Sequence, residues 1–349
     1  MEIDILSARA PNNASPGYHP VFEFENLLAE ICGGKLICPY ASLNSNFLRS
    51  LRKGPLKRVI PKFRRLGQSF SPSESRLLLV SALTPLDLDL LDAIPNWRQA
   101  YSTVVAFITD SFVVDWYKWA RNAKKLDAIF VPIESTIEAT RNATQVPVYF
   151  LPFGADCLKY SKANTKRWID VIGYGRQPAL IVEQLEQLGN GNPEFFFLRE
   201  TPSRGSFESI RNAHFRLLNA SKCALAFDTS IVFRDDYKVS ILTPRWAESF
   251  ASGCVVAGAC PLDGPKVFDW EGAFTDVPTT GAGALDAILE LLSDDEAILR
   301  QSTRNVMEMC EAHDWRHRIR SILHCIGSPI PDQLTKQLDQ LEQRVVLKS

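Results

Sequence analysis

Three groups of residues in this chain have the types and spacing to bind a ligand or take part in a reaction. Arg245 and Glu248 stand three positions apart in a stretch that runs from Thr243 to Gly258. That spacing puts a cation and a carboxylate on one face of a helix near its start. Taken by itself it also fits a plain surface ion pair, worth about 0.3 kcal/mol. A second group is Gly173-Tyr174-Gly175-Arg176, after an apolar run and before a helical pattern that begins at Pro178. A dinucleotide fingerprint needs a third glycine where Pro178 stands, which counts against NAD. The third group lies in the first half. Asp110 directly follows the run Val104 to Thr109, and His19 ends the turn-rich stretch from Arg9. Asp110 reads either as a cap for a helical pattern over Ser111 to Ala123 or as an active-site contact or base. His19 reads as part of a surface loop or as a polar contact on the acceptor side.

Residues so far apart need rigid elements to position them. Short β-rich runs recur: Ile3 to Ala8, Lys35 to Pro39, Arg76 to Ala82, Thr103 to Thr109, Ala128 to Pro132 and Val146 to Phe150. A second series follows at Trp168 to Tyr174, Glu194 to Leu198, Cys223 to Phe227, Val255 to Gly258 and Ala273 to Thr275. Apolar on both faces and separated by helix-length segments, these predict two parallel sheets covered on both sides. Ligands in such sheets bind at the carboxyl ends of the strands, where Asp110 and the stretch ending at His19 fall. Gly253 predicts a left-handed cap that stops the helix carrying Arg245 and Glu248. The turn Leu151-Pro152-Phe153-Gly154-Ala155-Asp156 predicts a sharp bend between the halves. The expected domains are 1–152, 153–312 and a closing helical segment, 313–349. Within that segment Asp332 to Val346 reads as a polar helix with Leu334, Leu338 and Leu341 on one side, lying at the surface or at a contact between copies.

Composition narrows the function classes. The chain has 349 residues, 46% of them apolar and 23% charged, as in ordinary globular proteins. Its net charge of −1 argues against a nucleic-acid binder. The eight cysteines are scattered without Cys-x-x-Cys spacing, which predicts reduced thiols, no structural metal and a cytoplasmic protein. Neither a signal peptide nor a spanning segment is expected. The adjacent acids Asp235-Asp236 and Asp294-Asp295 read as solvated or capping residues. One segment is strongly basic. From Arg49 to Arg65 eight Lys and Arg alternate with apolar residues, and no acid intervenes. This suits either a solvated loop or a peripheral contact with an anionic membrane or a phosphorylated acceptor.

The string Arg245-x-x-Glu248-x-x-Ala251-x-Gly253-x-Val255-Val256 resembles the nucleotide-sugar site of glycosyltransferases with the GT-B fold, in particular the family 1-like and spore-maturation-protein-like groups. The resemblance covers the second half well and the first half loosely. It implies two Rossmann-like domains facing a cleft and transfer of a sugar from a nucleoside-diphosphate donor to a glycan or lipid-linked acceptor, without a metal or other cofactor. Glu248 would then hold the donor ribose. Gly173, Tyr174, Gly175 and Arg176 match the loop that holds the diphosphate, with Thr243 and Arg245 beside it. The turn at Pro152 and the element Trp315 to Arg318 match the family's crossing and closing segments. Two departures stand out. The family's phosphate-binding lysine is Ile181 here, with Lys238 or Arg234 as substitutes by nearness in sequence, and the first of its paired acids is Ser240. These departures keep a catalytically silent sugar-nucleotide-binding scaffold as the rival, with a sugar isomerase or phosphorylase of the same architecture behind it.

Overall fold

The computed structural model describes residues 2–9, 16–39, 77–162, 166–201, 205–232, 239–279 and 283–346. The basic segment 49–65, Arg234 and Lys238 lie outside the described residues. The chain divides into two compact units, Met1–Leu151 with Ile322–Gln333 and Pro152–Ser321 with Leu334–Ser349.

The first unit is built on a six-stranded parallel sheet: β1 (Ile3–Ser7), β2 (Leu36–Ile37), β3 (Leu77–Ala82), β4 (Thr103–Ile108), β5 (Ala128–Val131) and β6 (Val148–Phe150), in the order β2-β1-β3-β4-β5-β6. All six lie where the apolar runs predict them. The central strands are buried along their whole length, which is why they read as continuous apolar runs rather than alternating ones. Helix α1 (His19–Cys32) packs on β1 and ends at Gly33, whose φ of 68° is the left-handed cap. Helix α2 (Ile137–Thr144) leads into β6.

One expectation fails here. Ser111 to Ala123 forms no α-helix; it runs through short 3-10 turns at Val114–Trp119 and Ala123–Lys125. Val113, Val114, Trp116, Tyr117 and Trp119 crowd two successive turns with β-branched and aromatic side chains, which lose rotamer freedom in a helix. Tyr117, Ala120 and Ala123 are instead drawn into the apolar core under β3 and β4.

The second unit carries a five-stranded parallel sheet: β7 (Ile169–Gly173), β8 (Phe197–Arg199), β9 (Ser221–Phe227), β10 (Val255–Ala259) and β11 (Thr275–Asp276), ordered β11-β10-β9-β7-β8. Alternate residues of its strands face two separate cores. Val171, Cys223 and Leu225 lie in one, and Ile172 and Ala224 in the other. The unit's helices are α3 (Ala179–Gly191), α4 (Phe207–Asn219), α5 (Pro244–Ala251), α6 (Gly283–Leu292) and α7 (Asp295–Glu308), followed by α8 (Trp315–Cys325) and α9 (Asp332–Val346), which are divided between the units at Ile322 and Leu334. Helix α5 stops where the sequence says it must: Gly253 has φ 71°, and β10 starts two residues later. Asp294 caps α7, its Oδ1 accepting from Ala297 N at 2.8 Å. The apolar side of α9 is not a surface face. Leu334 and Leu341 are fully buried, and Arg344 donates to the carbonyls of Cys157 and Leu158, each at 2.7 Å. Trp315 is fully buried in the same unit, edge-on to Phe153 at 6.4 Å.

Candidate functional site

At the carboxyl end of the second sheet, three connections converge on α5. The loop after β7 is Tyr174-Gly175-Arg176, Glu200 follows β8, and Asp228 follows β9. Gly175 has φ 68°, a conformation that bends the loop back over the start of α5. A Cβ there would lie 3.3 Å from Arg245 Cδ.

Arg245 and Glu248 do not pair with each other, and neither is at the surface. Arg245 reaches under the loop: Nη1 donates to the carbonyl of Arg176 at 2.5 Å and to that of Tyr174 at 3.5 Å, and Nη2 to that of Phe227 at 3.5 Å. Every one of these acceptors is a neutral carbonyl. Among the described residues no carboxylate lies within ion-pair distance of Arg245, and burial pulls its pKa down from the ordinary value. Tyr174 is buried as well; its hydroxyl donates to the carbonyl of Arg245 and lies 3.0 Å from Ser249 Oγ. It braces the loop on the helix. Arg176 is exposed on the same loop. Thr243 stands at the amino terminus of α5 and makes no capping bond, and its Oγ1 is shut off from solvent with no hydrogen-bond partner among the described residues. Gly173 ends β7, and the peptide N–H of Glu200 donates to its carbonyl at 2.8 Å.

Glu248 faces the other way, into a buried network that the sequence did not announce. Its Oε1 accepts from Arg211 Nη1 at 2.5 Å, and its Oε2 lies 3.6 Å from His214 Nε2. The second ring nitrogen of His214, Nδ1, lies 2.7 Å from Glu200 Oε2. Arg211 and His214 are three apart on α4, so one face of that helix presents two basic groups to two carboxylates. Burial opposes ionisation of Glu248, but Arg211 and His214 outweigh it and hold its carboxyl at about 2. Burial likewise opposes the imidazolium, and Glu200 and Glu248 overcome it, raising His214 to about 9. Among the described residues, two acids and two bases from three elements thus form one cluster. The one signal in the sequence was the i, i+3 spacing of Arg211 and His214, which by itself says nothing of their partners.

Ser240, which stands where the resemblance lacks an acid, donates to the carboxylate of Asp228 at 2.6 Å. That carboxylate also accepts from the backbone N–H groups of Ser230 and Ile241. Asp228 therefore fixes the segment leading into α5. Ile181 is buried in the apolar core and offers nothing to a phosphate.

In the first unit, Asp110 lies just past the end of β4, with its N–H held by the carbonyl of Leu83 at 2.7 Å. Its Oδ2 accepts from Tyr18 Oη at 3.2 Å. His19 is the first residue of α1 and is buried. Tyr18 thus brings the start of α1 to the end of β4, and the two acceptor-side candidates fall at one edge of one sheet. Close by, Glu25 accepts from Ser7 Oγ at 2.8 Å and pairs with Arg9 at 2.8 Å. Burial raises its pKa against the pull of Arg9. The sequence reading passed over Asp87-Leu88-Asp89, an acid-x-acid spacing met in metal sites. Asp87 accepts from Thr84 N at 2.8 Å, and Asp89 lies 3.3 Å from Arg121. Among the described residues no three His, Cys, Asp or Glu side chains gather in a metal-holding group. No described helix is long and apolar enough to cross a membrane.

No protein-family model matches the chain, and no curated protein matches it in sequence. Solved structures match it in fold. A sucrose-phosphate synthase from Thermosynechococcus elongatus is 12% identical over 94% of this chain and 98% of its own, with a TM-score of 0.55. A glycosyltransferase from Rickettsia africae is 12% identical over 93% and 97%, with a TM-score of 0.52. A point mutant of S. aureus TarM, solved in complex with fondaparinux, alpha-GlcNAc-glycerol and UDP, is 12% identical over 73% of this chain, with a TM-score of 0.48. The chain spans 56% of that structure, about half its length. Identities this low speak for the fold. The fold is that of the GT-B glycosyltransferases, two Rossmann-like α/β units, as the resemblance in the sequence implies.

Proposed function

We propose that the chain is a GT-B glycosyltransferase whose second unit binds a nucleoside-diphosphate sugar and whose sugar passes to a glycan or lipid-linked acceptor. The observation that carries this reading is Arg245. A buried guanidinium held by neutral carbonyls is a costly arrangement, and it is relieved when an anion arrives. Arg176 on the adjacent loop and the Thr243 hydroxyl at the start of α5, which has no hydrogen-bond partner among the described residues, add a second cation and a donor at one place. A diphosphate fits that set: two fork-shaped cations, one hydroxyl donor and a helix amino terminus. In sugar transfer negative charge builds on the departing diphosphate, so fixed positive groups there lower the barrier.

In the first unit Asp110, held by Tyr18, is the candidate for acceptor contact or proton removal, with His19 beside it. We assign no metal to the reaction, and activity should survive EDTA. A cytoplasmic location, with 49–65 resting on an anionic membrane surface, completes the proposal.

One observation favours the catalytically silent reading. Both carboxylate oxygens of Glu248 already face basic partners, so a ribose would have to share them. Calorimetric titration with UDP, GDP and ADP tests the binding step on wild type, Arg245→Met and Arg176→Ala. The proposal expects one nucleotide to bind and both variants to lose it. Binding that survives in Arg245→Met sinks the site, and a bound nucleotide sugar that is never turned over with any acceptor favours the scaffold.

A further inference from the structure

The second unit holds a histidine that no role above has used. His214 has a carboxylate oxygen at each ring nitrogen, Glu200 at 2.7 Å and Glu248 at 3.6 Å. A neutral imidazole carries one N–H, so one of its nitrogens would present a lone pair to a carboxylate. Only the imidazolium suits both neighbours. The remaining groups around the ring do not change this. Arg211, on its own helix, is engaged by Glu248, and Tyr174, after β7, meets the ring edge-on at 4.8 Å. Burial pushes the Tyr174 hydroxyl well above its ordinary range, so it stays neutral while the ring titrates. Phe215 closes the remaining side at 5.5 Å.

Among the described residues, the four charges of this cluster balance only while the proton is present. Glu200 and Glu248 supply two negative charges, Arg211 and His214 two positive ones. If the ring loses its proton, these four groups are left with one uncovered negative charge, shared between Glu200 and Glu248, and Glu248 stands on the helix that also carries Arg245. We infer that His214 is a positioning residue: as an imidazolium bridging Glu200 and Glu248 it fixes the Glu248 side chain and keeps this corner neutral, so that nucleoside-diphosphate binding depends on its proton. The inference rests on the proposed donor site. It assigns to α4 and Glu200 a part in donor binding without direct contact with the phosphates.

The test follows the ring and the ligand separately. In the full chain labelled with ¹³C-histidine, the His214 signal is identified as the one of five lost in His214→Gln. Its titration is followed from pH 6 to 10.5. In parallel, the dissociation constant of whichever of UDP, GDP or ADP binds is measured from pH 7 to 10 for wild type, His214→Gln and the double variant His214→Gln with Glu200→Gln. The expected result is a charged ring at pH 7.5 and a wild-type affinity that falls on the order of tenfold as the ring deprotonates, the size expected for one charge uncovered near an anion in a partly buried site. His214→Gln should be weak at every pH. The double variant, again neutral, should recover most of the affinity and show a flat profile. A neutral ring at pH 7.5 overturns the bridge. A double variant no better than the single one, or a wild-type profile as flat as that of the double variant, overturns the positioning role and leaves the donor site standing. If none of the nucleotides binds wild type at any pH, the donor site fails and this inference fails with it, while the ring titration still reports on the bridge.

Discussion

Arg211 Nη1 on α4 and Glu248 Oε1 on α5 lie 2.5 Å apart, with both side chains 5% exposed or less. A pair so buried stabilises little in total, because both charges were taken out of water to form it. Removing one partner is another matter, since it strands the other charge. Arg211→Met should therefore destabilise the second unit by about 3–5 kcal/mol. Arg211→Met combined with Glu248→Leu should recover most of that loss. Urea unfolding of the three proteins checks it, and a single variant as stable as wild type would show that water reaches Glu248.

The same network sets a pH window. His214 stands at about 9 when folded, above its ordinary 6.5, so its contribution is whole below pH 6.5 and is lost as pH rises through 9. Glu248 stands at about 2, below its ordinary 4.5, so its contribution is whole above pH 4.5 and is lost as pH falls through 2. The contribution of this cluster should be level between about 4.5 and 6.5 and decline on either side, with each decline on the order of 3 kcal/mol at its limit. Total stability falls below pH 6.5 in any case, because burial holds His313 at about 3 and His317 at about 4. The two limbs report one shared cluster and do not add. Denaturant midpoints against pH, compared with His214→Gln, should show the alkaline limb vanish in the variant.

At Gly175 the chain needs a positive φ, and the space above it is filled by Arg245. Gly175→Ala should cost about 1–2 kcal/mol and push the loop off Arg245. Nucleotide affinity should fall along with stability. If a crystal structure of the variant showed the loop unmoved and the affinity unchanged, the loop would not be part of the donor site.

Parallel strands were readable because burial on both faces leaves a run of apolar residues, and the cap at Gly253 because its backbone admits little else. The partners of Glu248 were not readable. Arg211 lies 37 positions away and His214 comes from the same helix, and no local period encodes which face of α4 will meet α5. Asp110 illustrates the opposite failure. One of its two readings, a cap, assumed a helix over Ser111 to Ala123, where the chain forms short 3-10 turns instead. Leu334, Leu338 and Leu341 announced an apolar stripe on α9, and only the fold showed that the stripe is buried.

Arg245 separates stability from function. Because its buried charge has no carboxylate partner among the described residues, Arg245→Met should leave stability unchanged or raise it slightly. The same change should weaken nucleoside-diphosphate binding by more than tenfold, a loss on the order of 2 kcal/mol for a charged hydrogen-bonding group. Thermal unfolding with and without ligand measures both at once. A large loss of stability without ligand would mean that Arg245 is chiefly a brace for the loop.

The grip of Arg344 on Cys157 and Leu158 bears on how the protein is made. The arginine follows Cys157 by 187 positions. A ribosome adding roughly 5–20 residues per second delivers it about 10–40 seconds later. Through that interval the β7–β11 sheet can assemble, but the turn at 157–160 waits without the arginine that clasps its Cys157 and Leu158 carbonyls. The second unit is thus completed late in synthesis, well after its own strands are available.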